Sequence, residues 1–217
     1  MGSKREKAAA TRRKIIEAAQ EEFVSCGYQG ATIASIAKRA GVATQTVYFV
    51  FHTKADLISA VIDFAVTGGE QPSGVPQATE WWEAMLSEPR ADQALRIFIR
   101  GAGPLFRRAS AVSEILRAAS LTDDEVRKTY QRHEDLRRAG FREVIDVMVT
   151  KGKLRKGLDT ESATDLFLLL VGDATYQVMT VEYGWSHERW IEWLCESVPQ
   201  ILLEMKLGGR RSPRGPS

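Results

Sequence analysis

The sequence predicts an all-α protein in two parts, a small head and a larger helical body. Three observations predict it. No stretch alternates apolar and polar residues as a half-buried strand does. From Glu80 onward every strong apolar period is helical. The stretch from Thr32 to Lys54, TIASIAKRAGVATQTVYFVFHTK, reads as two short helices joined by a tight turn.

The head begins with a basic arm carrying Lys4, Arg5 and Lys7. Ser3 with Glu6 has capping-box spacing, so the first helix starts there or near Thr11. Ile15, Ile16, Ala19 and Phe23 make its buried stripe, and Gly27 ends it. Thr32 then caps a second helix with Ile33, Ile36, Ala37 and Ala40 on one apolar face. Gly41 is the residue type that lets a helix stop in a left-handed conformation. A third helix follows, from about Ala43 to Phe49. Its exposed side offers Thr44, Gln45, Thr46 and Tyr48, side chains of a length that reaches base edges and phosphates. That is the outline of a helix-turn-helix, whose second helix lies in the DNA major groove.

The same residues resemble the signature of the tetracycline-repressor (TetR) family of transcriptional regulators. The matching elements are the cap Thr32, the Ile36-Ala37 pair, the Ala40-Gly41-Val42 turn, Thr46-Val47-Tyr48, Phe51, and the opening of the next helix from Lys54 to Leu57. The resemblance is strong over residues 10–60. It is weaker at the turns Gly152 to Leu158 and Gly184-Trp185-Ser186. It implies a three-helix DNA-binding domain followed by a helical ligand-binding and dimerisation domain. It implies base contacts from Thr44 and Gln45, and phosphate contacts from Thr32, Thr46, Tyr48 and Lys54. Two positions depart from the pattern. Ala43 stands where a Ser-like cap is usual, leaving Thr44 to cap instead. Val50, which cannot donate, stands where His or Tyr often contacts phosphate, leaving His52 as the substitute donor.

Composition agrees with a globular chain: 217 residues, 44% hydrophobic, net charge +2. The charge is uneven. Residues 1–60 hold nine Lys and Arg against five Asp and Glu, and the rest hold 21 against 23. A basic head suits a nucleic-acid partner. Cys26 and Cys195 are far apart and form no CxxC, so no disulfide framework is expected. Cys26, near a helix end, reads as a small core residue. There is no apolar leader, and the run Leu166 to Val171 is too short to span a membrane. The expected location is the cytoplasm. His52, His133 and His187 are dispersed, and no glycine loop cradles phosphate. No catalytic residue, metal or cofactor is therefore expected.

Thr53 to Asp56 restarts a helix with capping-box spacing, and Leu57, Ile58, Val61, Ile62 and Ala65 form its apolar face. A Gly/Pro-rich loop follows, from Thr67 to Thr79. Trp81, Trp82, Met85 and Leu86 make a short helix that Pro89 interrupts. Leu95, Phe98, Ile99 and Ala102 stripe the next, and Pro104 begins another through Leu105 and Leu116. Thr122 to Glu125 forms a capping box for a long helix to about Lys151. Asp159 or Thr160 caps a helix reaching Tyr183. Ser186 caps the last, which ends near Met205 and bends at Pro199. The domains are thus 1–54 and 55–207, with a disordered tail at 208–217.

The penultimate helix is apolar nearly all round, and the last has a wide apolar face. Pairing both with their copies would cover them, as the resemblance also implies, giving a homodimer. Aromatic residues of the body, among them Trp82, Phe98, Phe106 and Phe141, suggest a cavity. His133 and Arg137 lie four apart on one helix, as do Asp173 and Gln177 on another. Two readings stand: these four orient a ligand, or Arg137 and Asp173 form a buried structural pair. The function expected is a sequence-specific regulator, a repressor released from a palindromic double-stranded operator by a small-molecule effector. An activator, or a regulator needing no ligand, is the alternative.

Overall fold

The computed structural model describes residues 4–69 and 76–204. The expected cap at Ser3, the middle of the loop after Thr67 and the tail lie outside these residues; the last described helix ends at Leu202, ahead of the expected Met205. Ten α-helices are described, and no strand; a single isolated bridge joins Leu154 to Leu203.

Helix α1 spans Lys4–Gly30, with a kink at Gly27 (φ +69°). Ile15, Ile16, Ala19 and Phe23 are buried along it. The stripe crosses the kink to Tyr28, whose ring stacks on Phe23 with centroids 5.8 Å apart. Tyr28 thus takes the inward position, and Cys26 is exposed, against the expectation of a core thiol. Helices α2 (Ile33–Ala40) and α3 (Thr44–Val50) form the helix-turn-helix. Gly41 between them has φ +66°, which L side chains adopt at a cost, so glycine makes the turn tight. Ile36, Ala37 and Val47 are buried and close the pair onto α1.

Helix α4 (Lys54–Thr67) starts at a capping box: Thr53 accepts from the Asp56 amide and Asp56 accepts from the Thr53 amide. Its Leu57, Ile58 and Val61 join one continuous apolar cluster with the head. That cluster also takes in Val112 and Leu116 of α6 (Ala91–Ser120) and Val126 of α7 (Asp124–Lys151). The head core therefore continues past residue 54 into the body. The second cluster is the body's own. It joins α5 (Glu80–Ser87), α6, α7, α8 (Thr160–Val171) and α10 (His187–Leu202) around Phe98, Phe167 and Trp190.

Besides Gly27, which kinks α1 rather than ending it, three boundaries differ from the sequence reading. Pro104 does not begin a helix; α6 runs through it over 30 residues. Buried Ile99, Ala102 and Phe106 hold both sides of the proline against the core, and that packing offsets the lost backbone bond. The α7 cap is Asp123, one residue later than expected, its Oδ1 accepting from the amides of Glu125 and Val126. The penultimate helix is not continuous to Tyr183. It breaks at Gly172, which is extended (φ −67°, ψ 156°), and resumes as α9 (Asp173–Gln177) and a widened π turn, Val178–Glu182. Thr175 takes up a freed carbonyl at the break, its hydroxyl donating to Leu169 at 2.6 Å.

Candidate nucleic-acid interface and body cavity

The reading surface is built on α2 and α3. Thr32 caps α2, accepting from the Ser35 amide at 3.0 Å, while Ser35 Oγ accepts from the Thr32 amide at 3.2 Å. Arg39 ties α2 to α1, with its Nε 2.7 Å from Glu22 Oε1. Helix α3 has no side-chain cap; Ala43 holds the cap position, and Thr44 does not take it over. Thr44 and Gln45 are exposed at its start, and Thr46 is half-buried. Tyr48 is exposed. Phe49 is 86% exposed, an unusual position for a phenyl ring. The sequence reading missed it, although Phe49 lies four residues after Gln45 and so shares its face. His52 is exposed just beyond. Lys54 is placed differently from expectation. Its ammonium lies 4.3 Å over the ring of Tyr28, a cation–π contact on the head itself. Burial there lowers its pKa, and Asp123 acts the other way.

The second feature is a cavity of about 400 Å³ in the body. Trp82 and Phe98 lie in its wall, as do Phe106 and Phe141. So do His133, Arg137 and Asp173. Gln177 is not in the wall; its amide donates to Ser110 Oγ at 3.2 Å. The break at Gly172 starts a new helix at Asp173 and turns Gln177 toward α6. Ile62, Asp63 and Val66 of α4 form one side of the cavity. Trp81 also lines it, seated against Gly101: a Cβ there would meet the Trp81 ring root at 2.3 Å. The ring walls support one another, with Phe98 and Phe141 centroids 5.9 Å apart and steeply inclined.

The polar wall is an ion-pair chain. Arg137 Nη2 donates to Glu134 at 2.8 Å and Nη1 to Asp173 at 3.4 Å. Its Nε is buried and has no partner. Burial raises the Asp173 carboxyl pKa; Arg137, and a hydrogen bond from Ser113, oppose the rise. The structural pair exists, and both its members face the cavity. His133 is half-buried nearby, with Nε2 3.0 Å from Ser59 Oγ and Nδ1 3.9 Å from Asp63. Burial lowers its pKa below the usual imidazole range, with Asp63 pulling it up and Arg132 down.

A capped helix-turn-helix head is joined by one helix to a hollow helical body. Residues 15–61 match the family model described as "Bacterial regulatory proteins, tetR family". The likeness to that family is carried by the head, and the match leaves the helical body outside it. It is 42% identical over 59 residues to the HTH-type transcriptional regulator TtgR of Pseudomonas putida. That match spans 27% of this chain and 28% of the relative. Two solved structures share the fold across most of the chain. One is a transcriptional regulator from Saccharomonospora viridis in complex with choline, with TM-score 0.65, 19% identity, and coverage of 89% of this chain and 98% of that one. The other is FadR from Bacillus subtilis in complex with stearoyl-CoA, with TM-score 0.61, 18% identity, and coverage of 88% and 96%. At these identities the likeness is one of fold. Among the described residues no helix is long and apolar enough to cross a membrane.

Proposed function

We propose that the protein is a DNA-binding transcriptional regulator, a homodimer that represses from a palindromic operator and is released by a small-molecule effector. The observation that carries this reading is α4. It leaves the reading head at Lys54 and ends as a wall of the cavity at Ile62, Asp63 and Val66. A ligand that prefers one position of α4 changes the placement of the head, and without such a preference nothing moves. The choline and stearoyl-CoA complexes of the two fold relatives support an effector in the body. The named relative is an HTH-type transcriptional regulator, which supports a regulatory role for the head they share.

Thr44, Gln45 and Phe49 contact bases in this reading; Thr32, Thr46 and Tyr48 contact phosphates. The dimer forms through α8, α9 and α10. Leu169 on α8, Val181 in the π turn and Tyr183 just after it are exposed, and a second copy would cover such apolar side chains. Selection of bound duplexes from a random pool tests the reading. An inverted repeat with half-sites about one helical turn apart, or a multiple of it, is expected. Weak binding without enrichment would overturn it.

A further inference from the structure

The cavity wall is unbalanced in charge. Among the described residues, Asp63, Glu134 and Asp173 line it, against a single guanidinium, Arg137. His133 does not redress this, since its burial favours the neutral ring. Arg137 is divided between two carboxylates and held closer to Glu134, at 2.8 Å, than to Asp173, at 3.4 Å. Asp173, its side chain only 19% exposed, therefore has the longer of the two contacts to Arg137 and a hydrogen bond from Ser113. Burial still raises its pKa, so a cation beside it would favour the charged carboxylate. The same wall carries aromatic rings: Trp81, Trp82, Phe98, Phe106, Tyr130 and Phe141.

We propose that the cavity takes an organic cation, an apolar body carrying one ammonium or amidinium group that faces Asp173 among the aromatic rings. This rests on reading the cavity as the effector site. Ring faces attract a cation through their quadrupole, most strongly where water is excluded. A carboxylate guest would meet three carboxylates and a guanidinium already engaged twice. A neutral guest would remove water from Asp173 and return no charge. The volume of about 400 Å³ suits a small organic molecule. The buried, unpartnered Arg137 Nε is the feature that favours an acceptor instead, so the test includes one.

The full-length protein is titrated with three probes of similar size: phenylbutyl-trimethylammonium, 4-phenylbutanol and 5-phenylpentanoate. Calorimetry and quenching of tryptophan fluorescence report binding. The cation is expected to bind about tenfold or more tightly than the alcohol. In Asp173→Asn, and separately in Glu134→Gln in case the first does not fold, that preference shrinks to about twofold or less. Equal binding of cation and alcohol overturns the proposal, and so does tightest binding of the carboxylate. Both leave an effector cavity in place. Absence of binding by all three overturns the proposal and removes the support for an effector cavity. The selected operator is assayed in parallel. Cation binding that leaves the operator bound supports the ligand class and overturns ligand release.

Discussion

His133 on α7 reaches Ser59 on α4, with 3.0 Å between Nε2 and Oγ. This bond joins a cavity wall to the helix that carries the reading head. Arg132 donates to the same hydroxyl, so Ser59 is held from two sides. In the proposed mechanism His133→Ala keeps operator binding and weakens the effector's ability to release it, by about 5- to 30-fold in effector concentration. A gel-shift titration with and without effector measures this. Unchanged release would show that α4 moves without His133.

The same histidine sets a pH dependence. Its folded pKa lies below the unfolded value of 6.5 because burial penalises the charged ring. Between the two values the unfolded chain binds more protons, so stability rises with pH there. The contribution is full above the unfolded value and is lost as pH falls through the folded one. His187 is lowered too, by burial and Arg107, and adds a slope of the same sign. Melting temperatures followed from about pH 7.5 down to about pH 5 should therefore fall. His133→Asn should flatten the fall in part, leaving the portion due to His187.

Gly101 is where Trp81 lies against the backbone of α6. A methyl group at that position meets the root of the indole side chain, which cannot move without leaving the cavity wall. Gly101→Ala should destabilise by about 1–3 kcal/mol, despite alanine's higher helix propensity. Thermal melts and the tryptophan emission maximum read the two halves of this prediction.

Gln45 and Phe49 share one exposed face of α3. Neither is part of the core, so Gln45→Ala and Phe49→Ala should leave the melting temperature nearly unchanged. Each should weaken operator binding by about 1–3 kcal/mol if it contacts a base. Binding to unrelated duplexes should change much less, and fluorescence anisotropy at fixed salt separates the two effects.

Leu169 stands exposed on α8, and a carboxylate there would face its copy across a twofold interface. Leu169→Glu should shift the protein from dimer to monomer in sedimentation, while far-ultraviolet circular dichroism stays helical. A dimer that persists would place the interface elsewhere.

What was legible in the residues is local. Thr32, Thr53, Asp159 and Ser186 cap their helices as the sequence indicates, because a cap is decided within one turn by a side chain and an amide two or three residues on. Gly41 is likewise a single-residue matter of backbone sterics. The stripe Leu95, Phe98, Ile99 and Ala102 is buried as its period requires.

Tertiary structure decided the rest. Pro104 lies inside a helix, the reverse of what local preference suggests, since packing on both sides outweighs a lost backbone bond; Gly172 breaks an apolar run that its period alone would carry through as one helix. Lys54 rests on Tyr28 because folding brings α1 under the start of α4. The cavity needs α4, α6, α7 and α9 together, and its residues are separated by up to 111 positions between Ile62 and Asp173. The sequence alone determined the all-helical class, the caps at Thr32, Thr53, Asp159 and Ser186, and the helix-turn-helix, all fixed by interactions within a few residues. Only the fold decided which side chains face an empty space and which charges there go unbalanced, because burial and Coulomb interactions depend on distance in space, not along the chain.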